Sequence, residues 1–118
     1  LIASKVAQDY NCTAAITGKI DTVSDGKRCV QLSNGHAMLS SVTGTGCLTS
    51  ALAGAFAGAT SNSFISACGA ILTTSIAGEI AYHRCGSYGT GSFHIALIDA
   101  ISSMSNAIMI KYAHITEV

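Results

Sequence analysis

The sequence predicts the later part of a layered α/β domain, with strands and a hairpin first and three packed helices after. Three observations carry this. Residues 12–41 alternate short β-branched or small-residue runs with Asp-Gly and Asn-Gly turn signals, and residues 48–112 repeat apolar side chains three and four apart. No internal repeat or low-complexity linker divides the 118 residues, so a single domain is expected. A hydrophobic content of 49% against 10% charged residues is enough for a packed core.

Residues 1–10 have the pattern of the late turns of a helix, with Leu1, Ile2 and Val6 near one face and Lys5 and Asp9 off it. The chain is therefore expected to begin within a domain, and Asn11 to end the helix. The run Cys12-Thr13-Ala14-Ala15-Ile16-Thr17, closing at Gly18, has the composition of a buried central strand. Residues 20–24 and 27–32 flank Asp25-Gly26, a hairpin signal because both central residues of the favoured turn need positive φ. Ser33-Asn34-Gly35 reads as a second turn, and residues 36–41 as another extended segment.

Val42-Thr43-Gly44-Thr45-Gly46-Cys47 then reads as a tight loop opening into a helix. That helix places Leu48, Leu52 and Phe56 four apart, while Ala51, Gly54, Ala55 and Gly58 keep its other sides thin. After a polar break at residues 60–63, residues 64–83 form a second helix whose stripe, Phe64, Cys68, Leu72, Ile76 and Ile80, is core. Gly86, Gly89 and Gly91 mark a flexible loop. A last helix begins near Ser92 with Phe93, Leu97 and Ile101 on its apolar face; Met104, Ile108 and Tyr112 extend the pattern, with a break near Ser105-Asn106.

Six basic and six acidic side chains cancel, so no long-range field favours nucleic acid or an anionic membrane. Any phosphate must be held locally. From Cys29 to Gly78 there is no Asp, Glu, Lys or Arg, yet the apolar runs break short of the roughly 20 residues of a spanning helix. Burial against other protein surface is expected instead, supplied by a missing half of the domain, a subunit interface, or both. The five cysteines form no C-x-x-C pair, so neither a zinc site nor a disulfide framework is indicated; free thiols in a reducing cytosol fit this usage, and no secretory signal is visible.

The chemistry concentrates at the glycine loop. A helix that starts this way aims its unpaired N–H groups and the positive end of its dipole at the loop, which makes an anion site. Neither the G-x-x-x-x-G-K-[ST] phosphate loop nor the full G-x-G-x-x-G fingerprint is present. A tight turn required only for packing is the alternative reading. Cys47, at the mouth of the anion hole, has the chemistry of a nucleophile or of a proton acceptor, and His36 has no feature tying it to that thiol. Asp25 reads as a turn residue and Glu79 as a solvated or interface carboxylate.

Ala15-Ile16-Thr17-Gly18, Val23-Ser24-Asp25-Gly26, Asn34-Gly35-His36, Val42-Thr43-Gly44-Thr45-Gly46-Cys47 and Gly89-Thr90-Gly91-Ser92-Phe93, in this order and spacing, resemble the hydroxyethylthiazole kinases. The resemblance runs over essentially all 118 residues and corresponds to the C-terminal part of one domain, residues 1–118, with the N-terminal half absent. It implies a ribokinase-like fold with a largely parallel sheet covered by helices on both faces, and a homotrimer with sites at subunit boundaries. It implies transfer of the ATP γ-phosphate to the primary hydroxyl of 4-methyl-5-(2-hydroxyethyl)thiazole, a salvage step towards thiamine, with magnesium.

Carried over by position, Thr17 would contact ATP and Gly44 the substrate, while Thr45, Gly46 and Cys47 would form the anion hole. Cys47 would stand where sugar kinases of this fold carry an aspartate base. No metal ligand is assigned, because the acidic magnesium-binding segment belongs to the half without a counterpart. Two family prolines are replaced, by Ala37 after His36 and by Thr90 in the glycine-rich loop. Two other readings stay open: another small-alcohol kinase of the same fold, such as a hydroxymethylpyrimidine-type kinase, and a non-catalytic half-domain that binds nucleotide or a partner.

Overall fold

The computed structural model describes all 118 residues. Helix α1 (Ile2–Tyr10) leads into strands β1 (Ala14–Ile16), β2 (Asp21–Ser24) and β3 (Cys29–Leu32), followed by a 3-10 turn over Ala37–Ser41. Helices α2 (Thr45–Ala59), α3 (Ser63–Cys85), α4 (Thr90–Ser102) and α5 (Asn106–Tyr112) come next, and β4 (Ile115–Glu117) closes the chain. The α/β class holds, as does the packing of α2 and α4 on α3, but beyond the three expected helices a fourth, α5, and a closing strand, β4, follow.

The sheet runs in the order β1-β2-β3-β4, and every neighbouring pair is antiparallel. The resemblance implied a largely parallel sheet. Within this chain the β1–β2 and β2–β3 connections are tight, and a parallel pair needs a crossover of a dozen residues or more. The run at residues 12–17 is not a buried central strand either. Only Ala14–Ile16 pair, along one side, and Ala15 and Ile16 are exposed at the edge. Small and β-branched composition fits an edge as well as a centre, because the neighbouring strand decides which it becomes.

The hairpin forms with a shifted turn. Gly26 has φ of 90° while Asp25 does not have positive φ, so the central residues are Gly26 and Lys27. Asp25 flanks the turn, and its Oδ1 accepts from the N–H groups of Lys27 (2.9 Å) and Arg28 (2.7 Å). Those two bonds, Arg28 first, hold the Asp25 carboxyl below its ordinary range. Its role as a turn residue thus has a definite form.

One face of the hairpin supplies Val23, Val30 and Leu32, which pack against Phe64, Ile71, Leu72 and Ile76 of α3. The period of two places Ser24 on the other face, where its hydroxyl accepts from Ser4 Oγ of α1 at 3.1 Å. Helix α1 buries Ala3 and Ala7 there; Leu1 and Ile2, expected on its apolar face, are exposed. Small side chains allow the closer approach, seen also where Gln8 Nε2 donates to the Gly26 carbonyl at 2.9 Å. Asn11 ends α1 in the left-handed conformation, as expected.

A second core joins Ala77 and Ala81 of α3 to Phe93, Ala96, Leu97 and Ala100 of α4. Helix α3 serves both cores. At 23 residues, with an 18-residue window of mean hydropathy 1.5, it is, contrary to the sequence expectation, long and apolar enough to cross a membrane, but 67% of that window is buried inside the globule. It is the central helix of the fold.

Residues 36–41 do not extend. His36 alone is extended, and its Nδ1 accepts from the Met38 N–H at 3.0 Å, which caps the 3-10 turn. The loop expected up to Ser92 is also shorter, because α4 already begins at Thr90.

Candidate functional site

Two tertiary devices set the glycine loop. Leu39, in the 3-10 turn, lies against Gly78 of α3, where an added Cβ would come within 2.7 Å of Leu39 Cδ1. Thr45 Oγ1 then donates to the Leu39 carbonyl at 3.0 Å, tying the first residue of α2 to that turn. Thr49 Oγ1 reaches Thr74 Oγ1 at 3.0 Å and fixes α2 on α3. The loop is thereby braced from α3 while its outer side stays bare.

Gly44 caps α2 with φ of 93° and has no side chain to accept the first-turn N–H groups. Leu48 N–H already bonds the Gly44 carbonyl at 2.9 Å, so the helix is wound from its first residue. Beside Gly46 an added Cβ would meet nothing within 4 Å. A helical glycine costs about 1 kcal/mol relative to alanine, and no packing within this chain requires that one. Bare backbone at an uncapped helix start is what an approaching anion needs.

A cavity of about 390 Å³ opens in front of this start. Thr43, Gly44, Thr45 and Cys47 line it from the loop, and His94 and Ile98 from α4. No Lys or Arg lines it, so backbone amides and the helix dipole are its fixed positive features. The structure brings Gly44, Thr45 and Cys47 to one hollow, with Cys47 exposed. Gly46 sits in the same turn without lining it. Thr17 lies elsewhere, exposed one residue beyond β1.

His94 is the lining residue that sequence reasoning missed. A lone histidine in a helix carries no spacing signal; its place comes from the burial of its neighbours Phe93 and Leu97, both fully enclosed, which sets the rotation of α4. His36 takes no part. Its ring stacks on Tyr82 with centroids 3.6 Å apart, and its Nδ1 is occupied by the cap.

Glu79 is half-buried and held by hydrogen bonds. Its oxygens accept from Asn34 Nδ2 at 3.0 and 3.2 Å and from the Gly35 N–H at 2.8 Å. Asn34 also donates to the Tyr112 carbonyl and accepts from the His114 N–H, so one buried amide joins β3, α3, α5 and β4. A second hollow, about 640 Å³, lies beside this junction and holds His83, Arg84 and Lys111. Those basic groups occupy the last turns of α3 and α5, where they complement the carbonyl ends. No group of three or more His, Cys, Asp or Glu side chains could hold a metal ion.

Residues 1–107 match the Hydroxyethylthiazole kinase family. The chain belongs to that family. It is 54% identical over 118 residues to the hydroxyethylthiazole kinase of Clostridium botulinum (strain Alaska E43 / Type E3), covering 100% of this chain and 42% of that relative. The kinase of Ruminiclostridium cellulolyticum is 49% identical over 117 residues, covering 99% of this chain and 43% of its own length. A solved hydroxyethylthiazole kinase from Pyrococcus horikoshii superposes with a TM-score of 0.91 at 38% identity, covering 99% of this chain and 45% of that one. This member of the hydroxyethylthiazole kinase family thus spans less than half the length of the relatives it matches, along the part that carries the glycine loop.

Proposed function

We propose that the chain is the C-terminal, catalytic-loop part of an ATP-dependent kinase that phosphorylates the primary hydroxyl of 4-methyl-5-(2-hydroxyethyl)thiazole in thiamine salvage. The observation that supports this most is the uncapped start of α2 facing the cavity that Cys47 lines. In this reading the amides of Gly44 to Cys47 stabilise charge on the γ-phosphoryl group as it moves. The hydroxyl oxygen bonds to the γ-phosphorus, the bond to the ADP oxygen breaks, and the hydroxyl proton passes to the thiolate form of Cys47, leaving the thiol. Gly44 contacts the alcohol and Thr17 the nucleotide.

The other requirements of the reaction fall outside these residues. Magnesium would be carried by the nucleotide phosphates and by the acidic segment that the resemblance places in the N-terminal portion. The remaining wall of the thiazole site belongs to an N-terminal portion, in keeping with the 42% coverage of the botulinum relative. A homotrimer with sites at subunit boundaries is the assembly this reading carries. A reducing, cytoplasmic setting agrees with five free cysteines.

The test is complementation. Co-expressed with the N-terminal portion of the botulinum relative, the chain should give ATP-dependent phosphorylation of the thiazole alcohol. Preference for a hydroxymethylpyrimidine in the same screen would move the substrate to that kinase class, and absence of both turnover and ATP binding would leave a non-catalytic module. In the active assembly, Cys47→Ala should lower kcat about a hundredfold, the lower end of general-base effects because the transition state is loose. Cys47→Asp keeps a proton acceptor and should retain more turnover than the alanine variant. Unchanged kcat in Cys47→Ala across pH would remove the thiol from the mechanism.

A further inference from the structure

The corner that carries Thr17 is held by a residue with no other evident use. Strand β1 ends at Ile16 and β2 begins at Asp21, and Ile16 pairs with Thr22, so residues 17–20 form the connection. Asp21 is only 6% exposed, and the period of two puts it on the same face as Val23, which lies in the main core. Its Oδ1 accepts the Gly18 N–H at 2.9 Å. No cation pairs with it, because the chain's two ion pairs are Lys5–Asp9 and Arg28–Asp25.

A carboxylate on a core face without a counter-charge is an unfavourable choice for stability alone. Burial pushes the Asp21 carboxyl up, and the Gly18 bond only partly offsets this. An apolar residue would avoid that cost. What the carboxylate gives in return is a fixed direction for the Gly18 peptide, whose other side is the Thr17 carbonyl. Beside Gly18 itself an added Cβ would meet only the Ile20 carbonyl at 3.8 Å, so packing does not hold the corner.

We propose that Asp21 is a positioning residue for the nucleotide: through the Gly18 N–H it sets the residue 17–20 corner and so presents Thr17 to ATP. This rests on the kinase reading, in which Thr17 contacts ATP. Asp21 itself touches no reacting atom. Loss of the bond should weaken ATP and leave the thiazole alcohol and the chemical step alone. A net hydrogen bond to a charged group corresponds to about tenfold in affinity.

The test uses Asp21→Ala and Asp21→Asn, the second keeping an uncharged oxygen for Gly18. Amide exchange of Gly18, followed by NMR, and steady-state kinetics are both measured on the assembly completed by the N-terminal portion. The expected result is Gly18 exchange about tenfold faster in Asp21→Ala, with KM for ATP about tenfold higher and kcat and KM for the alcohol within about twofold. Asp21→Asn should recover most of both. Unchanged Gly18 exchange in Asp21→Ala would overturn the proposal at its bond. Faster exchange with unchanged KM for ATP, or equal losses in every parameter that track the folded fraction, would reduce Asp21 to a structural residue. If the wild-type assembly binds no ATP, the nucleotide role falls with the kinase reading, while Gly18 exchange reports separately on the bond.

Discussion

Cys68 shows how placement divides chemically identical residues. Burial pushes its thiol up to about 11, against a smaller opposing effect from the Arg28 guanidinium, which itself lies 4.3 Å over the Phe64 ring. Because the folded value lies above the ordinary 9.0, the stability tied to this group is fully present below pH 9.0 and is lost as pH rises through about 11. Thermal unfolding followed between pH 8 and 11 should show that alkaline loss, and Cys68→Ala should flatten it. A maleimide at pH 8 should label exposed Cys12 and Cys47 well before Cys68 and buried Cys29. Asp21 follows the same sign in acid: its contribution is present below 3.8 and falls as pH rises through the raised value, so Asp21→Asn should gain stability relative to wild type on going from pH 3 to neutrality. None of this was legible in the sequence. Cys47 was singled out by its neighbours Gly44 and Gly46, whereas Asp21, Cys68 and His94 acquire their chemistry only from what folds around them.

At the scale of elements, the signals that proved reliable were those with a long period or a backbone requirement. Helices α2 and α3 follow from apolar spacing over many turns, and the Asp25–Gly26 region became a hairpin because glycine there supplies positive φ. Short segments misled. Residues 36–41 wind into a 3-10 turn because His36 caps it and Leu39 docks on Gly78, both long-range or side-chain effects. Strand β4 has only three residues and exists because β3 offers it an edge, so no local pattern announced it. The α4 start also came earlier than glycine content suggested, with Gly89 as its cap and Thr90 as its first residue. A proline would be accommodated at that position, since a first helical residue needs no N–H donor and a fixed φ suits it. Thr90→Pro should therefore stabilise the chain by about 0.4–1 kcal/mol, read as a higher unfolding midpoint in urea with an unchanged slope. A lower midpoint would mean that the residue 86–90 loop needs the freedom threonine leaves it.

At the scale of the molecule, α2 is the element whose burial does not match its composition. It contains no charged residue, yet none of its residues is buried, and beside Gly54 and Gly58 an added Cβ would meet nothing within 4 Å. Leu48, Leu52 and Phe56 are half-buried towards α3 and α4, which leaves the thin side with Ala51 and Ala55 bare. The edge of β1 is likewise unpaired on one side, with Ile16 exposed. Apolar helix faces and open strand edges recruit other protein surface, and under the proposed function the N-terminal portion is what covers them. By itself the chain should therefore elute from a sizing column as species that grow with concentration, and adding the N-terminal portion should replace them with a defined assembly. Ala55→Glu separates this from general stickiness. Ala55 is exposed, so unfolding of the chain alone should change by no more than about 0.5 kcal/mol. A buried, unpaired carboxylate at the joint would cost several kcal/mol, so complementation and turnover should fail. Full complementation by Ala55→Glu would mean that the thin face of α2 stays in water, and that the glycine loop is completed from another side.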